Sequence, residues 1–561
     1  MRLSRPPAWL RQLGIEVRTP DTFVAVVVAD LRSKRRGLRV ARRLPGDRRH
    51  LFVVGAPEPR SRRHGVALRG VRGNTALHRA LVGLGPVDLL VDVRPASGEK
   101  HYRQWRRVFL HVASGGTYVI PRSAVTSGAE LVHERLESLT RAKGPRKAQR
   151  RAAREMARAV AEVRSGASAI GVVRRGSHLL KLREKGVARL VNQRHADLRV
   201  SVIDRRPGGV LRGERPHTSS PVGGARLLDD LPYPPAVLRR YDGTTDLYGG
   251  VVAVHGDLVL PESFKWHLAP QLSNNRLADV AGRWARFRDG LDDPPPLEGS
   301  YYYLDYKNIG HYGHLLVEAL PKLWGWDAAK EVLPELKLLR RPPSRNLEWD
   351  PTDELLAAFG IAEADVVSVA GPVRVQTLVG ATPMLHATNP YYAHPDVTQV
   401  WSRVRRGLLR GHPASPGSRR IFVTRHRGKR LCRNVEAVDQ LFVDHGFEVV
   451  FPERLSLAEQ AALFDGADVV AGFGGTGLFN LIYASGAPTV IVLNHDAYDV
   501  RNEHIIAAAL GSDIHYFWSP ADVRPASGGS SVEAFKSSWS FDFEANGAAL
   551  LRLLEDLGRN D

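Results

Sequence analysis

ADVVAGFGGTGLFNLIY (Ala467–Tyr483) predicts a buried β-strand that enters a glycine-rich turn and continues as a helix. Glycines let the backbone come close to a ligand, and the first turn of a helix presents free N–H groups and a positive dipole end. Strands and helices in this alternation are typical of an α/β protein built on a parallel sheet. The turn is therefore a candidate pyrophosphate site. Close backbone packing is the alternative reason for its glycines.

A basic loop follows another predicted strand, two strands earlier in the sequence. The segment RRIFVTR (419–425) leads into HRGKR (426–430), and a helix is predicted from Asn434. A loop between the carboxyl end of a parallel strand and a helix N-terminus is a natural anion site. Because parallel strands end at the same edge of their sheet, we expect Arg425 and Arg430 to join the glycine turn in one phosphate site.

A histidine and a carboxylate stand together in NIGHYGHLLVEALPKL (308–323), an apolar helical run that Pro321 interrupts. His314 and Glu318 are four residues apart, so they share one face of a helix. Either His314 accepts the proton of an attacking hydroxyl while Glu318 orients its ring, or Glu318 accepts it and His314 positions the acceptor. A purely structural hydrogen bond is the third alternative. If the pair has no catalytic role, the next candidates are His311, Asp305 and Glu503.

The order of these blocks resembles glycosyltransferase family 61 over about residues 240–520. That family shows G-H-W-L-L-D-x-L-P-K/R-L, L-S-x-x-E-Q and G-x-H-G-A-G-L-x-N, with an arginine-rich block ending in asparagine before the second motif. The matching segments are GHLLVEALPKL (313–323), Arg425, Arg430 and Asn434, LSLAEQ (455–460) and GFGGTGLFN (472–480).

The resemblance implies an inverting glycosyltransferase of GT-B fold, with two Rossmann-like lobes and a nucleotide-sugar donor. It implies no required metal and no other cofactor. His314 and Glu318 then become the catalytic residues. The residues expected at the donor are Arg425, Arg430, Asn434, Gly474, Gly475, Thr476, Gly477 and Asn480.

Three departures from the family pattern separate this chain from other members. Gly474 replaces the usual histidine, Thr476 replaces the usual alanine, and Val492 stands where a glutamate is common. The donor sugar therefore cannot be carried over from the family. The expected acceptor is a glycan or lipid-linked glycan of surface polysaccharide synthesis. Two alternatives stay open: a catalytically inactive nucleotide- or sugar-binding protein, and a transferase that also methylates glycans.

The amino-terminal part predicts a further Rossmann-like domain. Four apolar runs between residues 22 and 122 predict buried parallel strands. Residues 85–120 loosely resemble the later half of a class I methyltransferase. The glycine-rich cofactor turn of that family is replaced by Ala29-Asp30-Leu31-Arg32. A degenerate domain serving as a scaffold is the main expectation, and an active methyltransferase is the alternative.

Composition and the pattern of apolar and basic residues predict four segments. Residues 1–125 form the Rossmann-like domain, 126–225 a basic helical bridge and linker, 226–410 the acceptor lobe, and 411–561 the donor lobe with a C-terminal helix.

The net charge of +21 favours anionic partners. The basic stretch 141–158 is either a surface helix that bridges two domains or a patch that docks on an anionic membrane surface. Nucleic acid is not expected, because the arginines are seldom interleaved with aromatic residues. A single cysteine, no secretory signal and no apolar run of about 20 residues predict a cytoplasmic protein, peripheral to the inner face of the membrane.

Overall fold

The computed structural model describes residues 6–15, 21–55, 61–141, 154–213, 216–222, 227, 229–290, 293–343, 349–411, 419–498, 500–524 and 531–559. The strands up to residue 233 are β1 Val24–Asp30, β2 Arg48–Val54, β3 Ser61–Arg63, β4 Val66–Val71, β5 Val87–Asp92, β6 Ala96–Ser97, β7 Val112–Pro121, β8 Val125–Ser127, β9 Val160–Ser165, β10 Ala169–Arg174, β11 Leu179–Lys181, β12 Arg199–Arg206, β13 Gly209–Arg212, β14 His217–Thr218 and β15 Asp230–Tyr233. The later strands are β16 Ala236–Leu247, β17 Ala253–His255, β18 Leu258–Val259, β19 Leu277–Ala281, β20 Trp284–Phe287, β21 Pro296–Leu304, β22 Lys337–Arg340, β23 Val366–Ser368, β24 Val373–Ala381, β25 Leu385–His386, β26 Tyr392–Ala393, β27 Arg420–Val423, β28 Glu448–Val450, β29 Val469–Phe473, β30 Thr489–His495 and β31 Ile514–Ser519.

The α-helices are α1 Ala8–Gln12, α2 Lys34–Ala41, α3 Asn74–Val82, α4 Gly98–Val108, α5 Ala129–Arg141, α6 Val187–Arg194, α7 Tyr312–His314, α8 Trp326–Val332, α9 Thr352–Phe359, α10 Val397–Leu408, α11 Val435–Asp444, α12 Leu457–Asp465, α13 Asn502–Leu510, α14 Val532–Phe535 and α15 Phe543–Arg559. Within the described ranges, no helix is both long enough and apolar enough to cross a lipid bilayer. Strands and helices mix throughout the described ranges, so the fold class is α/β, as the sequence predicts.

The chain divides into two compact units. Unit 1 comprises residues 1–200, 252–264 and 269–293, and unit 2 comprises residues 201–251, 265–268 and 294–561. These bounds differ from the four predicted segments, because the two transferase segments cluster as one unit and residues 252–293 return largely to unit 1. Strands β13 and β14 lie inside the predicted linker.

Unit 1 is built on a sheet whose parallel strands follow the order β4-β2-β1-β5-β7. Numbered along the chain, this order is 3-2-1-4-5, the arrangement of Rossmann folds. Strand β1 packs its apolar side chains into a core with Leu51, Leu89 and Val119 of the neighbouring strands. Sheet burial on this scale explains why the apolar runs before residue 122 are continuous rather than alternating.

The predicted basic helical bridge is only partly helical. Helix α5 lies there, but β10 is buried throughout and pairs antiparallel with both β7 and β9. Its sequence AIGVVR is rich in branched apolar side chains, which favour a strand, and the abundance of arginine around it masked that signal. Most of the basic stretch 141–158, namely residues 142–153, lies outside the described residues.

Unit 2 contains a parallel sheet in the order β28-β27-β29-β30-β31. Both faces of this sheet are covered. Val470 and Val492 belong to a core shared with the second sheet of the unit, and Phe422 and Ile491 belong to a core on the opposite face. Helix α15 closes that opposite face with Leu550 and Leu554, as its amphipathic pattern suggests.

The second sheet of unit 2 has the order β16-β24-β21-β22-β23. Strands β24, β21, β22 and β23 are parallel, and β16 runs antiparallel to β24. Helices α9 and α10 pack against each other beside this sheet, with Leu355 and Trp401 in the shared core. The continuous core makes both sheets parts of one packed body.

The contact between α9 and α10 provides a test of how the helices of unit 2 pack. A Cβ at Gly407 would overlap the backbone carbonyl group of Ala358. Helix propensity alone would make Gly407→Ala more stable by about 1 kcal/mol. Overpacking against backbone costs about 1–3 kcal/mol and cannot be relieved by a rotamer change. We therefore expect a lower thermal midpoint for Gly407→Ala.

The matched control is Gly486→Ala, since a Cβ there meets no atom within 4 Å. Its free energy of unfolding should stay within about 0.5 kcal/mol of the parent value. Circular dichroism monitors the thermal unfolding. Equal midpoints for both variants and the parent would show that the helices do not pack as described.

Candidate functional site

The strand order in unit 2 locates a crevice. Numbered along the chain, β28-β27-β29-β30-β31 is 2-1-3-4-5, so the order reverses between β27 and β29. In open α/β sheets, ligands bind outside the carboxyl ends of the strands at such a reversal. The loop that starts at Arg425 leaves the end of β27, and the turn from Gly474 to Gly477 leaves the end of β29. The topology therefore brings the two predicted phosphate elements to one place.

A cavity of about 850 Å³ opens at this point. Of the predicted donor residues, those on its wall are Arg425, Arg430, Thr476, Gly477 and Asn480. His314, Glu318, Asn434, Gly474 and Gly475 are not among its lining residues. A volume of this size suits a ligand larger than a single phosphate.

Two guanidinium groups converge on the backbone of Gly475. A Cβ at this position would lie 3.0 Å from Arg430 Nη2 and 3.2 Å from Arg425 Nη1. Gly475 also has φ of +144°, a conformation that side chains with a Cβ rarely adopt. The sequence uses glycine here because the arginines need the space and the backbone needs that conformation.

The two arginine side chains contact a backbone carbonyl and an aromatic ring. Arg425 Nη2 donates to the Arg430 carbonyl at 3.0 Å, and the Arg430 head lies 4.6 Å from the centre of the Tyr498 ring. Within the described part of the chain, the Nε atoms of both arginines are buried without a hydrogen-bond partner. Burial, then the charge of Arg430, lowers the pKa of Arg425 to about 10, so it stays protonated at neutral pH. Two adjacent, partly buried cations of this kind favour an anionic ligand.

The Gly475 N–H group is already used by the protein. It donates to Glu503 Oε1 at 2.7 Å from the first turn of α13. Burial raises the pKa of Glu503 to about 7, against this hydrogen bond and the charges of Arg501 and Arg430. A carboxyl group therefore occupies the N–H group of Gly475, which precedes the helix Thr476–Tyr483.

Asn494 fills the space that a side chain at position 474 would need. A Cβ on Gly474 would overlap the Asn494 amide, with Cγ at 2.8 Å. Asn494 lies on β30, next to the turn, and is buried. The family histidine has no room here unless Asn494 moves, so the departure noted in the sequence is matched by a compensating residue on the next strand.

The two asparagines predicted at the donor differ in placement. Asn480 is buried at the cavity wall, where its Nδ2 donates to Gln460 and its Oδ1 accepts from Tyr312. Asn434 lies at the start of α11, and its amide exchanges two hydrogen bonds with the backbone of Phe541. The structure therefore assigns Asn434 to anchoring the C-terminal segment rather than to the cavity.

His314 and Glu318 form a short hydrogen bond. His314 Nδ1 lies 2.6 Å from Glu318 Oε1, and Asn308 Nδ2 lies 2.8 Å from His314 Nε2. With the Asn308 amide donating to Nε2, the imidazole carries its proton on Nδ1 and donates it to the carboxylate. In this state the Nε2 lone pair is engaged by Asn308, so a substrate hydroxyl must take the place of that amide.

The backbone around this pair is irregular. Residues Leu315–Ala319 form a π-helical turn and Leu320–Gly325 a 3₁₀-helix. Pro321 lacks an N–H group and cannot continue an α-helix, which agrees with the predicted interruption. Single π-turns are frequent at functional sites.

The lowered pKa of Glu318 makes it the weaker of the two candidates for accepting a proton. Burial would raise its pKa, but the hydrogen bond from His314 and the charge of Lys265, 3.3 Å away, outweigh burial and lower it. A carboxylate with a lowered pKa is a poor proton acceptor at neutral pH.

His311 is exposed, and its ring centre lies 4.8 Å from that of His314. Desolvation and the neighbouring His314 lower its pKa, so it is neutral at pH 7. Asp305, the other nearby candidate, is buried and accepts hydrogen bonds from the backbone N–H groups of Val251 and Tyr306. These hydrogen bonds hold its carboxylate against the backbone.

The histidine segment touches the glycine turn. A Cβ on Gly313 would lie 2.9 Å from Thr476 Oγ1 and 3.1 Å from Phe479. Tyr312, on the cavity wall, donates to Asn480 Oδ1 at 2.8 Å. The residues predicted for catalysis and for donor binding are therefore neighbours, although the catalytic pair itself stands outside the cavity lining.

Sequence reasoning missed several cavity residues. Tyr312, Trp349, Gln460 and Arg454 line the cavity but come from separate loops and helices. Gln460 could have been found, since it belongs to the quoted LSLAEQ block. Trp349 carries no periodic signal in the sequence.

Unit 1 has its own strand reversal, between β1 and β5, but a salt bridge occupies it. Asp92 at the end of β5 pairs with Arg94, with Nε to Oδ1 at 2.8 Å, and accepts from the Tyr118 hydroxyl at 3.0 Å. Burial opposes ionisation of Asp92, but Arg94 lowers its pKa overall. The buried carboxylate at the predicted methyltransferase-like edge is thus already neutralised by the chain.

Comparison with known proteins adds one family and a set of partial structural likenesses. The family model for glycosyltransferase 61 matches residues 312–492, a narrower range than the predicted 240–520. Comparison with curated proteins finds no match.

Among solved structures, the MycE methyltransferase from the mycinamycin biosynthetic pathway is similar. The complex with Mg and SAH has 15% identity and a TM-score of 0.23 over 30% of this chain and 49% of that chain. The complex with Mg, SAH and mycinamycin VI has 17% identity and a TM-score of 0.22 over 30% and 45%. The chain spans about half the length of the structures it matches. The segment from Tyr312 to Val492, with the histidine pair, the arginine loop and the glycine turn, is therefore the part that matches glycosyltransferase family 61.

Proposed function

We propose that this protein is an inverting glycosyltransferase that moves a sugar from a nucleotide-sugar donor to a hydroxyl of a glycan or lipid-linked glycan. The observation that carries the proposal is the convergence of Arg425 and Arg430 on Gly475, at the strand reversal of a parallel sheet inside the segment that matches family 61. The two parallel sheets of unit 2 support a GT-B arrangement, with β24-β21-β22-β23 as the acceptor side and β28-β27-β29-β30-β31 as the donor side.

The donor pyrophosphate would bind between the arginine heads and the N–H groups of Thr476 and Gly477. Both residues begin the 3₁₀-helix Thr476–Tyr483, whose N-terminus favours negative charge. Arginine suits this role because its planar donors match phosphate oxygens in pairs. As the glycosidic bond breaks, these groups would stabilise the departing nucleoside diphosphate.

His314 is proposed as the base. The acceptor hydroxyl replaces the Asn308 amide at Nε2, gives its proton to that nitrogen, and its oxygen bonds to the anomeric carbon. The bond from that carbon to the phosphate oxygen breaks, and the electron pair leaves with the nucleoside diphosphate. Glu318 accepts the hydrogen bond from Nδ1 and stabilises the imidazolium that forms. His311 is the competing base, because it is exposed and its ring lies next to that of His314.

The family resemblance and the charge of +21 support an acceptor from surface polysaccharide synthesis, reached at the cytoplasmic face of an anionic membrane.

A binding protein without turnover is the second candidate. Asn494 occupies the space of the family histidine, so a group that the resemblance places beside the donor is missing from this chain. Release of nucleoside diphosphate from a panel of UDP-, GDP- and dTDP-linked sugars separates the two functions. Binding without release from any donor would support the second candidate.

The donor site is tested by Arg425→Ala. A charge-assisted hydrogen bond from arginine is worth about 1.5–3 kcal/mol, so nucleoside diphosphate affinity should fall roughly tenfold or more. Arg425→Lys should recover part of it, because charge remains and the paired geometry is lost. Isothermal titration calorimetry measures both. Arg433→Ala is the control, since Arg433 is exposed and pairs with Asp522 outside the cavity. Parent-like binding by Arg425→Ala would move the donor site elsewhere.

The proton acceptor is tested by comparing His314→Ala with His311→Ala. Loss of a general base lowers turnover by roughly 10²–10⁴-fold, while donor affinity should hardly change. We expect this split for His314→Ala and only a minor loss for His311→Ala, measured as nucleoside diphosphate release with the donor that the panel identifies. Glu318→Gln should reduce turnover less than His314→Ala. The opposite ranking of the two histidine variants would make His311 the base.

Glu503 predicts a pH dependence of donor binding. Its pKa is raised to about 7, so it loses its proton as the pH rises through neutrality and places a negative charge beside the phosphate site. Affinity for a nucleotide sugar, whose pyrophosphate does not titrate near pH 7, should therefore fall about three- to tenfold from pH 6 to pH 8. Glu503→Gln should bind equally at both pH values. A parent affinity that rises with pH would contradict this account.

A further inference from the structure

Two His-x-Asp sequences of unit 1 face each other. His195-Ala196-Asp197 follows helix α6, and His255-Gly256-Asp257 begins at the end of β17. His255 pairs with Leu258 across the β17–β18 hairpin, so Gly256 and Asp257 form its two-residue turn. About 60 residues separate the two sequences, and the fold alone brings them together.

Three of these side chains present potential metal-ligand atoms to one point. His195, Asp197 and His255 each offer one such atom, and these atoms lie within 4.8 Å of one another. Asp197 Oδ1 is 3.6 Å from His195 Nδ1 and 3.4 Å from His255 Nε2. Both separations exceed the usual 2.7–3.2 Å of an N–H···O hydrogen bond. Ligands about 2.0–2.2 Å from a tetrahedral ion lie about 3.3–3.6 Å from each other, which is close to the observed spacing.

The other nitrogen of His195 is fixed by an outer partner. Nε2 lies 2.9 Å from Asp257 Oδ1, and Asp257 is in turn held by Arg194, with Nε to Oδ1 at 3.0 Å. With Nε2–H donating to that carboxylate, the lone pair of Nδ1 is directed away from it. Metal-binding histidines commonly donate their second N–H to a carboxylate in this way.

The hairpin turn is shaped to admit the His195 ring. Gly256 has φ of +53°, and a Cβ there would lie 2.9 Å from His195 Cε1. The His255 side chain is only 4% exposed, whereas that of Asp197 is 72% exposed. An ion held here would have protein on one side and solvent on the other, which leaves at least one coordination position open.

We propose that His195 Nδ1, Asp197 Oδ1 and His255 Nε2 bind a divalent first-row transition-metal ion, with Zn²⁺ as the reference ion. Two imidazoles and one carboxylate suit such ions, whereas Mg²⁺ and Ca²⁺ prefer oxygen ligands. The ion joins the end of α6 to the β17–β18 hairpin. The proposal uses no residue of the proposed transferase site, so each can fail without the other.

The test is calorimetric titration of the full-length protein with Zn²⁺ after treatment with a chelator. We expect about one tightly bound ion per chain and no competition from excess Mg²⁺. His195→Ala and Asp197→Asn should each lower the affinity by more than the roughly 10–100-fold that loss of an outer partner costs. The loss of Zn²⁺ affinity in Asp257→Asn, which removes that outer partner, should fall within that range.

Asp197→Asn keeps the test valid if a histidine variant fails to fold, because this exposed side chain can change without disturbing the core. His217→Ala is the control, since it removes one ring of another histidine pair, with His515 at 4.6 Å between ring centres. Visible absorption of bound Co²⁺, and its loss on adding Zn²⁺, reports the coordination geometry of the ion and its exchange at the same site. Absence of a tight site in the parent, or parent-like affinity in both Asp197→Asn and His195→Ala, would overturn the proposal.

Discussion

The close approach of the Arg425 and Arg430 guanidinium groups to the backbone of Gly475 constrains the whole candidate site. Two partly buried cations side by side repel each other, and the partial loss of solvent makes that repulsion stronger. The chain accepts this arrangement at the carboxyl edge of β27 and β29, where the strand order reverses. Glu503 partly offsets it, but the raised pKa of its carboxyl group shows that its charge is itself disfavoured by burial. A bound pyrophosphate would complete the neutralisation.

Neighbouring side chains hold the turn at the two glycines where the chain approaches the arginines. The carboxyl group of Glu503 takes the N–H group of Gly475, and the amide of Asn494 takes the space beside Gly474. The turn is thus held from the β30 and α13 side rather than by a side chain of its own. Residues that fix the turn from elsewhere leave Thr476 and Gly477 as the turn residues on the cavity wall.

Local patterns predicted the parts of the site that depend on local structure. The strand, turn and helix at Ala467–Tyr483 and the basic loop after β27 follow from periodicity and glycine placement, and the structure brings them together at one sheet edge. Asn494 and Glu503 could not be assigned, because their contacts cross about 20–28 residues of sequence and depend on how β30 and α13 pack. The strands β9 and β10 were masked by their arginine-rich surroundings, since charge says little about backbone conformation.

The contact between Gly313 and Thr476 ties chemistry to binding. His314 follows Gly313 directly, so the position of the imidazole depends on how closely this segment lies on the turn. A side chain at 313 would push the segment away from Thr476 and Phe479, and with it the histidine pair. The π-turn at Leu315–Ala319 then keeps Glu318 within 2.6 Å of His314 Nδ1 even though Pro321 ends regular helix geometry. The geometry of the glycine turn therefore fixes the position of the proposed base. Because Gly313 has no Cβ, the histidine block can pack closely on the turn, and the two sequences depend on each other.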